Sequence, residues 1–263
     1  MTSRQAMNRW VEGVAVVDDR IYVVCDQLDV ISVYRLDSLQ PVGDIKVGGL
    51  QLPNDLAACC QSRQLYVADM RQCVWRVSVD TGRAKRWIPS RRAPEDPSPL
   101  SLSVTSRQVL VTSYDGDVLS LYSSDGRLVK SITLPDRSRA RHAVLTAAKT
   151  FVVCRTMPRH DVAELDFDGH VIHVCDAELN WPRRLAPAVG GDVIVLDSDR
   201  LLVVDARLKL KRVLLTTQHD GLDGPWRLNY TSNGGWLVLG EACGRVTLFS
   251  LIRSIRPSTS NTL

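Results

Sequence analysis

A chain of 263 residues with 44% hydrophobic side chains is long enough for one large domain with a substantial core. Its charged fraction of 24% is ordinary and its formal net charge of +4 is mild, so total charge alone does not argue for nucleic acid. No run approaches the length of a membrane-spanning helix, and the opening MTSRQAMNRW lacks the apolar core of a signal peptide.

Three landmarks recur along the chain. The first is an anchor that opens a strand: Trp10, Pro53, Pro99, Ala140, Pro182 and Pro225. These anchors are spaced by about 43 residues, close to the length of one propeller blade. The second is an apolar run ending in a small or acidic residue: IYVVCD (21–26), LYVAD (65–69), VLVTS (109–113), FVVC (151–154), VIVLD (193–197) and WLVLG (236–240). The third follows a short polar loop: VISVY (30–34), VWRVS (74–78), VLSLY (118–122), VAELD (162–166), LLVVD (201–205) and VTLFS (246–250). A turn and a fourth segment complete each unit, with Asp-Gly at 125–126 and 168–169 marking hairpins.

Short β-branched runs, turn residues between them and no 3.6-residue periodicity predict an all-β chain. Six units of four strands predict a six-bladed β-propeller of antiparallel blades near 10–47, 52–89, 99–135, 139–176, 180–217 and 223–254. A single four-stranded sheet cannot bury both faces alone, whereas repetition around an axis lets neighbours cover one another. The first strand of each blade should be innermost, and the second, nearly continuous in apolar residues, the most buried. The last unit offers only RLNYT, WLVLG and VTLFS, so its fourth strand either comes from the residues before Trp10, laid beside VTLFS, or is missing. SRQAMNR is a poor strand sequence. Residues 255–263 are expected to form a flexible tail.

The phrases LPNDLAAC…QLYVAD…CVWRVS (52–78), RLVKSITLP (127–135) with RHAV (141–144), LLVVDARLKLKRVLL (201–215) and DGPWRLNY (223–230) resemble NHL-repeat propellers, in particular the divergent TRIM-like ones of invertebrates. The resemblance spans residues 10–250. It departs from the family in a short fifth unit, with only Ser198, Asp199 and Arg200 between two strands, and in a fourth unit without its proline. It implies a scaffold for protein or peptide ligands, with RNA binding as an alternative. No RING, B-box or coiled-coil segment precedes the propeller, so a ubiquitin-ligase role does not carry over. The chain could belong to a longer protein.

Seven cysteines, an odd number without a CxxC, suggest neither a disulfide framework nor a zinc site. A reduced, cytoplasmic protein is expected. No GxSxG elbow or P-loop is present. His170 and His173 lie three apart and so on opposite faces of a strand, as do the adjacent Cys59 and Cys60. Some six-bladed propellers hold a divalent cation in the channel, for which Glu12, Asn54, Asp55 and Asn229 are the candidates here. A metal-dependent, lactonase-like hydrolase is therefore a second alternative, although these donors do not recur in every unit. The leading expectation is a non-enzymatic binding protein with no cofactor and no bound metal.

Assigning residues to loops puts arginine on one face. The loops between blades and those joining second to third strands carry Arg71, Arg91, Arg92, Arg137, Arg139, Arg141, Arg155, Arg159, Arg183, Arg184, Arg200 and Arg245. The opposite face receives Asp18, Asp19, Arg63, Asp80, Arg107, Asp125, Asp166 and Asp168. Trp181 and Trp226 share the arginine-rich loops, and arginine with tryptophan is the composition of a protein hot spot or of a surface that stacks on single-stranded RNA. The expected binding face comprises Arg71, Arg155, Arg159, Trp181, Arg183, Arg184, Trp226, Arg227 and Arg245. The same composition also fits a solvated surface on which Asp69, Asp115, Asp117, Asp161, Asp176, Asp197, Asp199 and Glu241 pair with the arginines.

Overall fold

The computed structural model describes residues 2–7, 9–71, 73–88, 98–114, 116–157, 159–231 and 235–251. They form six antiparallel sheets of four strands each, arranged as a β-propeller. Arg91, Arg92, Asp115 and the expected tail at 255–263 lie outside the described residues.

Each apolar cluster of the core is shared by two adjacent blades. Ala15, Tyr22 and Ile31 of blade one pack on Leu56, Leu65 and Trp75 of blade two. The same holds around the ring, through to Val11, Val14 and Ile21 against Val238, Val246 and Leu248 across blades one and six. Burying one such side chain contributes about 1.5–3 kcal/mol. No single sheet could collect that burial alone, which is the physical reason for the repeat.

The second strands, such as Gln64–Asp69 and Gln108–Ser113, are buried almost throughout because sheets cover both of their faces. Outer strands such as Pro41–Lys46 stay exposed. The Asp-Gly hairpins form with Gly126 and Gly169 at φ 94° and 95°, a conformation that glycine adopts without strain.

The ring closes through the N-terminal residues. Thr2–Ala6 pairs antiparallel with Arg245–Ser250, from Thr2 opposite Phe249 to Ala6 opposite Arg245. Arg4 adds hydrogen bonds to the carbonyls of Asp220 (2.9 Å) and Gly221 (3.1 Å). Low strand propensity is overridden because the outer edge of blade six offers a row of unpaired backbone groups.

The inner strands carry the feature that matters for function. They run Val11–Val17, Pro53–Cys59, Pro99–Val104, Arg139–Leu145, Arg184–Pro187 and Pro225–Thr231. Five of them open with a bulge, between Val11 and Gly13, Pro53 and Asp55, Pro99 and Ser101, Ala140 and His142, and Pro225 and Arg227. In blade five Arg183 donates its N–H to the Leu196 carbonyl at 2.8 Å, while Arg184 takes the ladder position opposite Leu196. The anchor of blade one is thus the fully buried Val11 rather than Trp10, which is 60% exposed. A bulge leaves one residue outside the ladder and re-aims its side chain. The bulge residues are Glu12, Asn54, Leu100, Arg141 and Trp226, with Arg183 in the corresponding place. Their successors are Gly13, Asp55, Ser101, His142, Arg184 and Arg227. Gly13 is glycine because a Cβ there would come within 2.6 Å of the Leu56 backbone nitrogen and Cβ.

Candidate functional site: a charged belt and an arginine–tryptophan mouth

Inner strands are edge strands, so their channel-facing backbone groups need partners. Charged side chains supply them across blade boundaries. Asp55 accepts from Leu56 N–H (3.0 Å) and from Leu102 N–H of blade three (2.8 Å). Asn54 donates its amide to the Leu100 carbonyl at 2.6 Å. His142 Nδ1 accepts from Leu185 N–H of blade five at 3.3 Å. Arg227 of blade six reaches the Glu12 carboxylate and carbonyl in blade one, and the Asn54 carbonyl in blade two at 2.9 Å. Arg184 pairs with Asp55 at 3.5 Å. Glu12, Asp55, His142, Arg184 and Arg227 are all buried.

Residues of this belt border a cavity at the inner strands. It lies on the side of the loops joining first to second strands and has a volume of about 880 Å³. Its walls are apolar, with Val14, Leu56, Ala57, Leu102, Val144, Leu185 and Leu228, and Asp55, His142 and Arg184 also line it. On the other side is a mouth built from arginine and tryptophan. The Trp226 ring centre has the guanidinium carbons of Arg183, Arg227 and Arg141 at 4.5, 4.9 and 5.1 Å. Arg141 also lies 5.8 Å from the Trp181 ring, and Trp181 packs on His160 at 4.3 Å. The loop carrying Trp181 is held by Asp197, which accepts from Asn180 N–H (3.0 Å) and Trp181 N–H (2.6 Å).

Four guanidiniums, Arg141, Arg183, Arg184 and Arg227, meet here with two paired carboxylates, Glu12 and Asp55. Burial, then Arg184 and Arg183, push the Arg141 guanidinium down to about 10. Burial lowers Arg183 as well, opposed by Asp197. Arg227 is pushed well down by burial and Arg184, against the pull of Glu12 and Asp55. Arg183 Nε, Arg184 Nε, Trp226 Nε1 and His160 Nδ1 are buried without a hydrogen-bond partner among the described residues.

The expected binding face therefore divides. Trp181, Arg183, Trp226 and Arg227 meet at the mouth, and Arg159 lies exposed beside His160. Arg184 and Arg227 occupy inner strands rather than loops and are buried in the belt. Arg155 is buried in a two-point pair with Asp161 at 2.8 and 2.7 Å. Arg245 makes a two-point pair with the buried Glu241. Arg71 is exposed on blade two, and no contact among the described residues links it to the mouth. Arg155, expected on the binding face, is corrected: its guanidinium is taken by Asp161 at the other end of its own hairpin. Asp69 and Glu241 end second strands and Asp197 directly follows one; all three are fully buried and hold the backbone of the preceding inter-blade loops. Arg141 is central to the mouth, although loop position alone gave it no special rank. The missed signal was the register: Arg141, Arg183 and Trp226 stand one residue after their anchors.

Three of the four donors suggested for a channel cation are already engaged, and Asn229 lines the cavity. Glu12 and Asp55 are engaged by guanidiniums, the Asn54 amide is spent on Leu100, and no group of three acidic, histidine or cysteine side chains gathers among the described residues. His170 and His173 each turn to a separate carboxylate, Asp166 and Glu164. The seven cysteines are free thiols. No helix of the described residues is long and apolar enough to cross a membrane.

No family model matches the sequence, and no curated protein matches it. Among solved structures the chain is similar to the WD40 β-propeller domain of Doa1, with TM-score 0.69 and 14% identity over 97% of this chain and 99% of that one. It is similar to XC5397 from Xanthomonas campestris, a gluconolactonase important in glucose secondary metabolic pathways (TM-score 0.73, 14% identity, 94% and 89% covered). It is also similar to virginiamycin B lyase from Staphylococcus aureus (TM-score 0.66, 10% identity, 95% and 99% covered). At such identities the likeness is one of fold, and a propeller hosts unrelated functions.

Proposed function

We propose that the chain is a non-enzymatic, NHL-like propeller that acts in the cytosol as a scaffold for a protein or peptide ligand. The ligand lies on the inter-blade face around Trp181, Trp226, Arg183 and Arg159. The supporting observation is the mouth itself, where two tryptophans and several guanidiniums from three blades sit on a rigid ring. Aromatic and arginine anchors in one place are the composition of binding hot spots. Base stacking by single-stranded RNA asks for open aromatic planes, whereas the Trp226 ring is flanked by guanidiniums, which favours a peptide. A hydrolase reading, raised by the likeness to a gluconolactonase, asks for free donors in the channel, and Glu12 and Asp55 are already paired.

The test compares wild type with Trp181→Ala/Arg159→Ala in capture from lysate, followed by titration of any hit. Arg184 is left alone because removing it would strand Asp55. The double variant should lose about 2 kcal/mol or more of affinity with little change in melting temperature. Equal affinity for the same partner would overturn the assignment of this face.

A further inference from the structure

We infer that the channel mouth is an oxyanion site: Arg141 and Arg183 hold a carboxylate or phosphate beside the Trp226 indole N–H, and this group is what the protein recognises in its ligand. The inference rests on the binding-face reading and gives that face a chemistry.

The charge balance points this way first. The two carboxylates of the belt are taken by Arg227 and Arg184. No carboxylate among the described residues forms an ion pair with Arg141 or Arg183, although the buried Asp197 attracts Arg183 from beyond contact. Both guanidiniums lie over indole rings instead. Stacking on tryptophan accounts for the contact of one cation with one ring. It does not account for four guanidiniums gathered with two paired acids, because like charges in a partly dry site repel.

The unpartnered atoms point the same way. At the mouth, Arg183 Nε and Trp226 Nε1 are buried, unpartnered and able only to donate. A group with several acceptor oxygens and negative charge satisfies such donors, and a guanidinium meets it with a planar fork. A cation or an apolar group satisfies none of them.

Geometry limits the source. The belt of Glu12–Arg227 and Asp55–Arg184 pairs lies immediately inside the mouth, so an anionic head ends there and the rest of the ligand lies on the face. One anchored anion suits an acidic side chain or the C-terminal carboxylate of a peptide. A nucleic-acid strand would present a phosphate at every nucleotide, and the mouth concentrates its unpaired cations at one point.

The test uses sodium phosphate, a capped peptide with a central Glu-Glu pair, its Gln-Gln twin and an oligouridylate, all at constant ionic strength. Melting temperature and indole fluorescence are followed for wild type, Arg141→Met and Arg183→Met. In chloride buffer Arg141→Met should melt at or above the wild-type temperature, because an unpaired charge has gone. Phosphate should raise the wild-type melting temperature saturably, and each variant should weaken the apparent affinity by at least about tenfold. The Glu-Glu peptide should compete with phosphate and the Gln-Gln twin should not. If phosphate shifts wild type and both variants alike, and Arg141→Met melts lower, the guanidiniums are structural and the oxyanion site falls. Equal binding of the two peptides, with partner capture still lost in Trp181→Ala/Arg159→Ala, would sink the oxyanion site and spare the binding face. Saturation by phosphate without competition from the acidic peptide would make the group a free ion and overturn the recognition role. Preference for the oligouridylate would overturn the peptide source.

Discussion

The guanidinium carbon of Arg183 stands 4.5 Å from the ring centre of Trp226, although the two residues belong to neighbouring blades. Both take the same place in their repeat, at the start of an inner strand. Trp226 is the hub of this arrangement, with Arg141 and Arg227 on it as well. Trp226→Ala should therefore destabilise the fold by about 2–4 kcal/mol in urea denaturation, through lost packing and lost stacking. Trp181→Ala, at a residue 39% exposed, should cost less than about 1.5 kcal/mol. Equal costs at the two positions would mean that Trp226 is not the hub.

The Glu12–Arg227 pair ties blade six to blade one in a buried setting. Glu12→Gln strands a charged guanidinium there, and breaking one side of such a pair costs about 3–5 kcal/mol. Removing both partners in Glu12→Gln/Arg227→Met should recover much of the loss. Asp192→Asn, which breaks the exposed pair with Lys211, should cost less than about 1 kcal/mol. Chemical denaturation of the three variants reads the order directly.

His142 is buried, accepts from Leu185 N–H, and is held well below its ordinary 6.5 by burial and by Arg184. The unfolded chain takes up a proton near pH 6.5 that the folded chain refuses. The stabilising effect of the neutral ring is thus fully present above pH 6.5 and declines as pH falls below it. Stability should therefore fall as the pH is lowered from 7 to 5. His142→Gln should be less stable at pH 7 but should flatten that slope. A slope unchanged in the variant would assign the acid sensitivity to another group.

Closure by Thr2–Ala6 adds a complete outer strand to blade six, with Arg4 holding the Asp220 and Gly221 carbonyls. Deleting residues 1–7 exposes that edge and the apolar side of blade six. The melting temperature should drop by at least about 5 °C. An unchanged melting temperature would mean that the ring does not depend on this seam.

Burial pushes the Cys25 and Cys73 thiols up to about 11, and that of Cys154 higher still. The thiolate is the reactive form. A maleimide at pH 7.5 should modify the exposed Cys60 and Cys243 first and reach Cys25, Cys59, Cys73 and Cys154 only on unfolding. A reductant should leave the melting temperature unchanged. Mass spectrometry of the labelled protein gives the order of reaction.

The blades themselves are written locally. Alternation along each strand, turn chemistry at Asp125–Gly126 and Asp168–Gly169, and apolar second strands are all properties of short segments. Six copies in register leave little freedom in how the sheets stack, whereas the sequence left two endings open for blade six and the pairing of Thr2–Ala6 with Arg245–Ser250 chose between them. The fate of each arginine was decided elsewhere. Arg155 and Arg159 are near neighbours in the chain, yet one is sealed by Asp161 across a hairpin while the other is exposed. Arg183 and Arg184 are adjacent, and only the second pairs with Asp55 in the belt. The bulge at the head of each inner strand places one residue outside the ladder, and ring closure then brings residues far apart in the chain to the same axis. Burial and charge pairing depend on those distances between blades, which no spacing along the chain encodes.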